Sequence, residues 1–166
     1  MDVLINNTPI ERVNHVKYLG IIIDGRLTWQ QHINYLKLKI SRSLYQLNKL
    51  KFTLGKEILL MLYYSLIYPH LTYCCCTWGT AASGLINKLF LQQKKAVRII
   101  TKSYYLAHTS QLFQSLKILK INNIIEKSVL LFMYKYKNNL LPEACRCLVD
   151  LASTESHNDG NKDYVH

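Results

Sequence analysis

Acidic side chains are scarce in the middle of this 166-residue sequence. Between Gly25 and Ile125 there are fourteen lysines and arginines but a single acidic residue, Glu57. No two aspartates are adjacent anywhere in the sequence, and the carboxylates in the body of the chain, Asp24, Glu57 and Glu126, are far apart along it. Phosphoryl transfer by two metal ions needs carboxylates that share metals about 4 Å apart. The sequence therefore predicts no polymerase or nuclease centre of its own, no metal site and no cofactor.

The motifs of other common enzyme classes are also missing. There is no phosphate-binding loop, no Gly-x-Gly-x-x-Gly turn and no Gly-x-Ser-x-Gly nucleophile elbow. The five cysteines are three adjacent thiols, Cys74 to Cys76, and the pair Cys145 and Cys147. This spacing and the odd count are not those of a disulfide framework or a zinc site. They favour a reducing, intracellular compartment and leave open whether it is nuclear or cytoplasmic.

A long uncharged stretch raises the question of a membrane. No charge lies between Glu57 and Lys88, but the densest apolar part, 58–67, is too short to cross about 30 Å of hydrocarbon. Pro69 follows it after one residue. We expect a buried core helix here. The start of the sequence also lacks the basic and apolar regions of a signal peptide.

The charge that is present is positive and is concentrated in the middle. The net charge is +11. The segment from Gly25 to Ile125 carries +13, and the two ends together carry −2. Such an asymmetry favours a polyanionic partner, most often nucleic acid.

The apolar pattern predicts a mainly α fold. A small β-hairpin is expected at 3–13, and a third strand at 17–24 is apolar on both faces, which is typical of a strand inside a larger sheet. Helices are expected from Thr28 onward, at 56–68, 83–101, near 109 and at 122–137. The second of them is apolar nearly all round and should be central to a bundle. The fifth should turn Ile125, Val129, Phe132 and Met133 inward, and the polar, acidic tail from 150 should be disordered.

Two of the predicted helices carry basic residues opposite an apolar stripe. We expect the apolar stripes to pack together and the cations to form one track for a phosphate backbone. His32 is expected to face solvent or to cap a neighbour. Of six tyrosines that can stack on bases, Tyr63, Tyr64, Tyr68, Tyr73, Tyr104 and Tyr105, at least half should be buried or half-buried. The predicted nucleic-acid-binding residues are Lys37, Lys39, Arg42, Lys49, Lys51, Lys94, Lys95, Arg98 and Lys102.

Four blocks, in order, resemble the non-LTR (LINE-type, jockey-like) retrotransposon reverse transcriptases, beyond their catalytic palm. The first is Val16-Lys17-Tyr18-Leu19-Gly20-Ile21 with Asp24, Leu27-Thr28-Trp29 and His32-Ile33. The second is Tyr63-Tyr64-Ser65-Leu66-Ile67-Tyr68-Pro69-His70-Leu71-Thr72-Tyr73 with Trp78-Gly79. The third is Leu91-Gln92-Gln93-Lys94-Lys95-Ala96-Val97-Arg98-Ile99-Ile100, and the fourth is Phe132-Met133-Tyr134-Lys135 with Leu140-Leu141-Pro142.

The resemblance implies a division into parts. Residues 1–25 would be a palm remnant in which Tyr18, Leu19 and Gly20 are similar to the primer-grip strand. Residues 26–104 would be the helical thumb, 105–149 a C-terminal helical extension, and 150–166 a disordered tail. The family's Asp-Asp box, its fingers and its endonuclease would lie upstream of Met1, so the chain would be a truncated fragment and Mg²⁺ would belong to the missing palm.

Three interpretations of function follow. The first is non-specific binding of RNA–DNA or other duplex by a thumb region that has no catalytic centre, although the full-length family is an RNA-directed DNA polymerase. The second is a non-functional relic, or a subunit that depends on a palm-containing chain. The third is a membrane-associated basic helical protein that uses 58–78 and the cationic helices around it.

Overall fold

The computed structural model describes residues 4–5, 8–9, 13–147 and 149, and this part of the chain is mainly α-helical, as predicted. Residues 143–147 are also helical, and the predicted tail at 150–166 lies outside the described residues. The chain forms two compact units that divide between Glu126 and Lys127, and the predicted domain limits stay predictions. The elements are β1 (Leu4–Ile5), β2 (Thr8–Pro9), β3 (His15–Tyr18), β4 (Ile21–Asp24), α1 (Gln30–Leu50), α2 (Lys56–Leu66), α3 (Tyr68–Thr72), α4 (Cys75–Trp78), α5 (Ser83–Ile100), α6 (Thr109–Ser115) and α7 (Ile121–Lys137).

The predicted third strand is in fact a second hairpin. Strands β3 and β4 are antiparallel, and Tyr18 pairs with Ile21, so that only Leu19 and Gly20 form the turn. Both turn residues have left-handed backbone, with φ of 46° and 85°, as a two-residue turn of the primed type requires. The prediction of one strand over 17–24 is wrong because the chain reverses at this turn.

The described strands form two separate two-stranded sheets, β1 with β2 and β3 with β4. Every residue of β3 is exposed, and in β4 only Ile21 is buried while the others are half-buried. The two strands are therefore apolar without being buried on both faces, and the expectation that they belong to a larger sheet stays a prediction. Their apolar side chains are available to a further layer, which the described part of the chain does not supply.

Helices α1 and α5 form the centre of the first unit. Five apolar residues of α1 at helical spacing are buried, which confirms the predicted stripe, and α5 buries residues of its own against them. Both helices are amphipathic, so their packing leaves their polar sides at the surface. The buried stripe of α1 is Ile33, Leu36, Ile40, Leu44 and Leu47.

Two other helices are more exposed than the sequence predicts. In α2, Leu59 and Tyr63 are buried, but Met61 is 70% exposed and Ile58 is also at the surface. This helix therefore lies at the side of the bundle, and the prediction of a central position is wrong. In the second unit, Val129 and Met133 of α7 are exposed rather than inward. An apolar sequence pattern shows that a face of a helix can be buried, but it does not show that another element of the chain packs against that face.

One buried glutamine links three elements of the first unit. The Gln93 side chain is 0% exposed. Its Nε2 donates to Tyr63 Oη at 2.9 Å and to the Leu119 carbonyl at 2.7 Å, while its Oε1 accepts the Ile121 backbone N–H at 3.0 Å. Every polar atom of the side chain therefore has a partner, and α2, α5 and the start of α7 are joined through it.

Candidate nucleic-acid interface

A groove runs along the contact between α1 and α5. It consists of two adjoining cavities of about 340 and 360 Å³, which share Lys95, Arg98 and Tyr105. Lys37 borders the part of the groove near Lys88, and Lys51 borders the part near Lys102. The C-terminal ends of the two helices therefore lie at the same end of the groove. We call this surface the α1–α5 groove; it is lined by Lys37, Asn48, Lys51, Phe52, Lys88, Leu91, Gln92, Lys95, Arg98, Ile99, Lys102, Ser103 and Tyr105.

The groove brings together five of the nine predicted binding residues, Lys37, Lys51, Lys95, Arg98 and Lys102. It adds Lys88, which the sequence interpretation did not include. Lys88 lies seven residues before Lys95, which places both on one side of α5. That spacing was the signal that could have identified it.

The other four predicted cations do not line the groove. Arg42 is exposed on α1. The Lys39 ammonium lies 5.6 Å from the centre of the Tyr35 ring, on another side of the same helix. Lys49 lies over Tyr45 at 5.5 Å, and Lys94 lies over Phe90 at 4.5 Å. The basic residues of α1 and α5 thus lie on several sides of the two helices, and only some of them line the groove.

The groove is strongly electropositive. Six basic side chains line it, and no acidic side chain does so within the described residues. Arg98 also has a structural role, because its Nε and Nη2 both donate to the Ala107 carbonyl, at 3.1 and 3.0 Å. The five lysines are exposed or half-buried. Flexible ammonium groups on such a surface are suited to phosphate oxygens.

The predicted primer-grip-like residues form the tip of the second hairpin. Tyr18 and Leu19 are exposed, and the Leu19 carbonyl accepts a hydrogen bond of 2.7 Å from the Tyr73 hydroxyl. Leu19 and Gly20 border a cavity of about 480 Å³ together with His32 and residues of α1 and α3. The tip is therefore attached to the helices, and its primer-grip role stays a prediction.

Residues of the first sequence block attach the hairpin of β3 and β4 to the start of α1. One carboxylate, that of Asp24, accepts the backbone N–H groups of Arg26, Thr28 and Trp29 at 3.2, 3.0 and 2.9 Å. These bonds, with the Thr28 N–H first among them, lower the pKa of Asp24 below its ordinary value of 3.8. Thr28, from which the first helix was expected to begin, has a smaller part, because its hydroxyl accepts only the Gln30 N–H, at 3.4 Å.

His32 provides a second attachment. It is buried, so the expectation that it faces solvent is wrong, and its Nδ1 accepts the Ile22 backbone N–H at 3.3 Å. Its Nε2 has no hydrogen-bond partner among the described residues. Burial lowers the pKa of His32 below its ordinary value of 6.5, because the interior disfavours the charged ring.

We expect acid to weaken both attachments. A lowered pKa means that the His32 contribution to folding is complete above pH 6.5 and is lost as the pH falls through the folded-state pKa. The Asp24 contribution is lost in the same way below pH 3.8. The melting temperature should fall between about pH 7 and pH 5, and His32→Asn, which keeps an acceptor but does not titrate, should reduce that fall.

The comparison of the wild-type chain with His32→Asn measures the effect of His32 alone. The pKa of His70 is also lowered, by partial burial and by Lys39, but His70 is present in both the wild type and the variant. Thermal unfolding followed by circular dichroism at the two pH values measures the difference. An equal fall in the two proteins would contradict the role given to His32.

The burial of the six tyrosines differs from the expectation. Tyr63 is buried and Tyr68 half-buried, whereas the other four are exposed. Fewer than half are therefore in or near the core, and the expectation of at least half is wrong. Tyr105 lines the groove, and Tyr104 does not.

Two further kinds of site are absent from the described part of the chain. None of its helices is long and apolar enough to cross a membrane. Nor do the described residues contain a group of three or more histidine, cysteine, aspartate or glutamate side chains that could hold a metal ion.

Curated proteins similar to this chain are polymerases of mobile elements. The chain is 28% identical over 130 residues to the probable RNA-directed DNA polymerase from transposon X-element of Drosophila melanogaster. It is 29% identical over 130 residues to the RNA-directed DNA polymerase from mobile element jockey of Drosophila funebris. Each match covers 75% of this chain and 14% of the relative. A third, the probable polymerase from transposon BS of Drosophila melanogaster, is 27% identical over 124 residues, which are 71% of this chain and 13% of that protein.

The chain thus spans about one seventh of the length of these relatives. No protein-family profile and no solved structure matches it. The matches agree with the resemblance carried by the four sequence blocks. The curated homologues of this chain are the RNA-directed DNA polymerases of jockey, X-element and BS non-LTR retrotransposons, as expected for a fragment of such a reverse transcriptase.

Proposed function

We propose that this chain is the nucleic-acid-binding thumb region of a reverse transcriptase and that its α1–α5 groove holds the sugar–phosphate backbone of a primer–template duplex. The observation that carries the proposal is the lining of that groove. Six basic side chains meet there, from α1, α5 and the residues that follow these two helices, and no acidic side chain lines it among the residues that the structure describes. Phosphate contacts of this kind give affinity without sequence preference.

The proposed role is binding and not catalysis. The sequence contains no adjacent aspartates of the kind found in the catalytic box of the family. The carboxylates and Mg²⁺ of polymerisation would belong to a palm, in a separate chain or in the remainder of a longer one. The exposed apolar side chains of β3 and of its turn, Val16, Tyr18 and Leu19, favour such a partner, because they give it an apolar surface to cover.

The salt dependence of duplex binding tests the proposal. Five lysines of the groove are exposed or half-buried, and each phosphate contact contributes about −0.9 to the slope of log K against log salt concentration. A blunt RNA–DNA duplex should therefore bind with a slope of about −4 to −5 between about 50 and 200 mM salt. Fluorescence anisotropy of an end-labelled duplex measures it.

Sequence independence is the second part of the test. Two duplexes of equal length and unrelated sequence should bind with the same affinity and the same slope. A slope near zero, or a strong preference for one sequence, would contradict phosphate binding in the groove.

A further inference from the structure

We propose that the cavity of the α1–α5 groove that is bordered by both Phe52 and Tyr105 binds an unpaired nucleobase by stacking. The inference rests on the proposed function, since the base would belong to a strand whose phosphates the groove holds. It narrows the class of nucleic acid that the chain would bind, because a duplex with a single-stranded extension would be preferred to a blunt duplex. Phe52 is 81% exposed and Tyr105 is 72% exposed, and both border the cavity of about 340 Å³.

The loop that carries Tyr105 is held in place. Arg98 donates twice to the Ala107 carbonyl, and the Ser103 N–H donates to the Arg98 carbonyl at 3.0 Å. The hydroxyls of Thr101 and Ser103 also share a hydrogen bond of 2.7 Å. The exposed ring is therefore presented by a loop that is fixed on both sides of it, which reduces the entropy that binding would cost.

Phe52 is presented by a turn at the end of α1. The N–H groups of Thr53 and Leu54 both donate to the Leu50 carbonyl, at 3.1 and 2.9 Å. Leu54 is packed against the core, which holds the turn against the bundle. The Lys51 ammonium lies 4.8 Å from the centre of the Phe52 ring, so an aromatic surface and a cation occur as one unit.

The charged side chains of this cavity suit a single strand, in which anionic phosphates alternate with neutral bases. Both α1 and α5 end here, and the basic side chains that border the cavity exceed the partial negative charge of the two helix ends. Lys51, Lys95 and Lys102 border the same cavity, where they can hold the phosphates on either side of the base.

The size of the cavity agrees with this occupant. A volume of about 340 Å³ is at the lower end of the range of small-ligand sites, about 300 to 1,000 Å³. It is lined by two aromatic rings and three lysines, which is the combination used by proteins that hold single strands. Aromatic stacking accepts any base, so the site would not select a sequence.

Three ligands test the proposal: a blunt RNA–DNA duplex, the same duplex with a short single-stranded extension, and that extension with abasic sugars. The abasic ligand has the same phosphates as the second but no bases to stack. Stacking on an aromatic ring contributes enough to change affinity by about tenfold. The wild-type chain should therefore bind the base-containing extension about tenfold more tightly than the abasic one.

The variants are Phe52→Leu and Tyr105→Leu, with Tyr104→Leu as the matched control. Tyr104 is 76% exposed and next to Tyr105, but it does not border the cavity. Each of the first two variants should reduce the ratio of the affinities for the base-containing and the abasic extension to near one. Tyr104→Leu should keep the wild-type ratio. All three positions are exposed, and thermal unfolding verifies that each variant is folded.

The outcomes separate this inference from the proposed function. Salt-dependent binding of the blunt duplex, together with equal affinity for the two extensions, would overturn the base site alone. A ratio near ten without salt-dependent binding of the blunt duplex would overturn phosphate binding and keep the base site. Equal losses in Tyr104→Leu and Tyr105→Leu would also overturn the base site.

Discussion

Replacing Lys88, Lys95 and Lys102 together by alanine is expected to weaken duplex binding by about a hundred- to a thousandfold at about 0.1 M salt. All three line the α1–α5 groove. The removal of one lysine–phosphate pair should reduce the magnitude of the salt slope by about 0.9, so the slope should change by nearly three. Titrations of one duplex at several salt concentrations measure both quantities in the same experiment.

The matched control is the triple variant of Arg42, Lys49 and Lys94. It removes the same number of positive charges, two from α1 and one from α5, but none of its residues lines the groove. Charges outside the contact surface are screened over about 10 Å at 0.1 M salt, so this variant should keep most of the affinity and nearly the whole slope. Equal losses in the two triple variants would show that net charge, and not the groove, determines binding.

Replacing Gln93 by leucine is expected to destabilise the fold by about 3 to 5 kcal/mol. The change leaves the Tyr63 hydroxyl, the Leu119 carbonyl and the Ile121 N–H without the partner that each has in the wild type. A buried polar group without a partner costs about 1 to 3 kcal/mol. Total stability is of the order of 5 to 15 kcal/mol, so this loss is large. The melting temperature should fall by about 10 °C or more.

A second substitution distinguishes the effect of the hydrogen bonds from that of packing. In the Gln93→Leu background, Tyr63→Phe removes a hydroxyl that already has no partner, so it should restore part of the stability. In the wild-type background the same change should destabilise, because Gln93 then loses an acceptor. Gln46→Leu, on the exposed side of α1, is the control for the substitution itself. Stability in urea close to that of the wild type for Gln93→Leu would contradict the proposed network.

The sequence predicts the helices better than it predicts how they meet. The buried stripe of α1 was predictable because a spacing of three and four residues is a local property. The partners of Gln93 were not, since they lie 26 to 30 residues away along the chain. In α2 the apolar residues surround the helix, so periodicity gave no means of telling which side α1 and α5 would cover.

The same limit applies to the candidate site. Lys37 and Lys39 are two positions apart and point about 200° apart on α1. The sequence predicted that both are basic surface residues, but only the position of α5 places Lys37 in the groove and leaves Lys39 beside Tyr35. The turn at Leu19 and Gly20 was missed for a related reason. Glycine signals a left-handed backbone, whereas leucine at φ 46° does not.

The pairing of α1 with α5 also has a consequence for the order of folding. The two helices are neighbours in space, yet α2, α3 and α4 lie between them in the chain. Contacts across such a separation form late, because the intervening chain must first be ordered. The groove should therefore be among the last surfaces of the first unit to assemble. During refolding, duplex binding would then appear after the helical signal does.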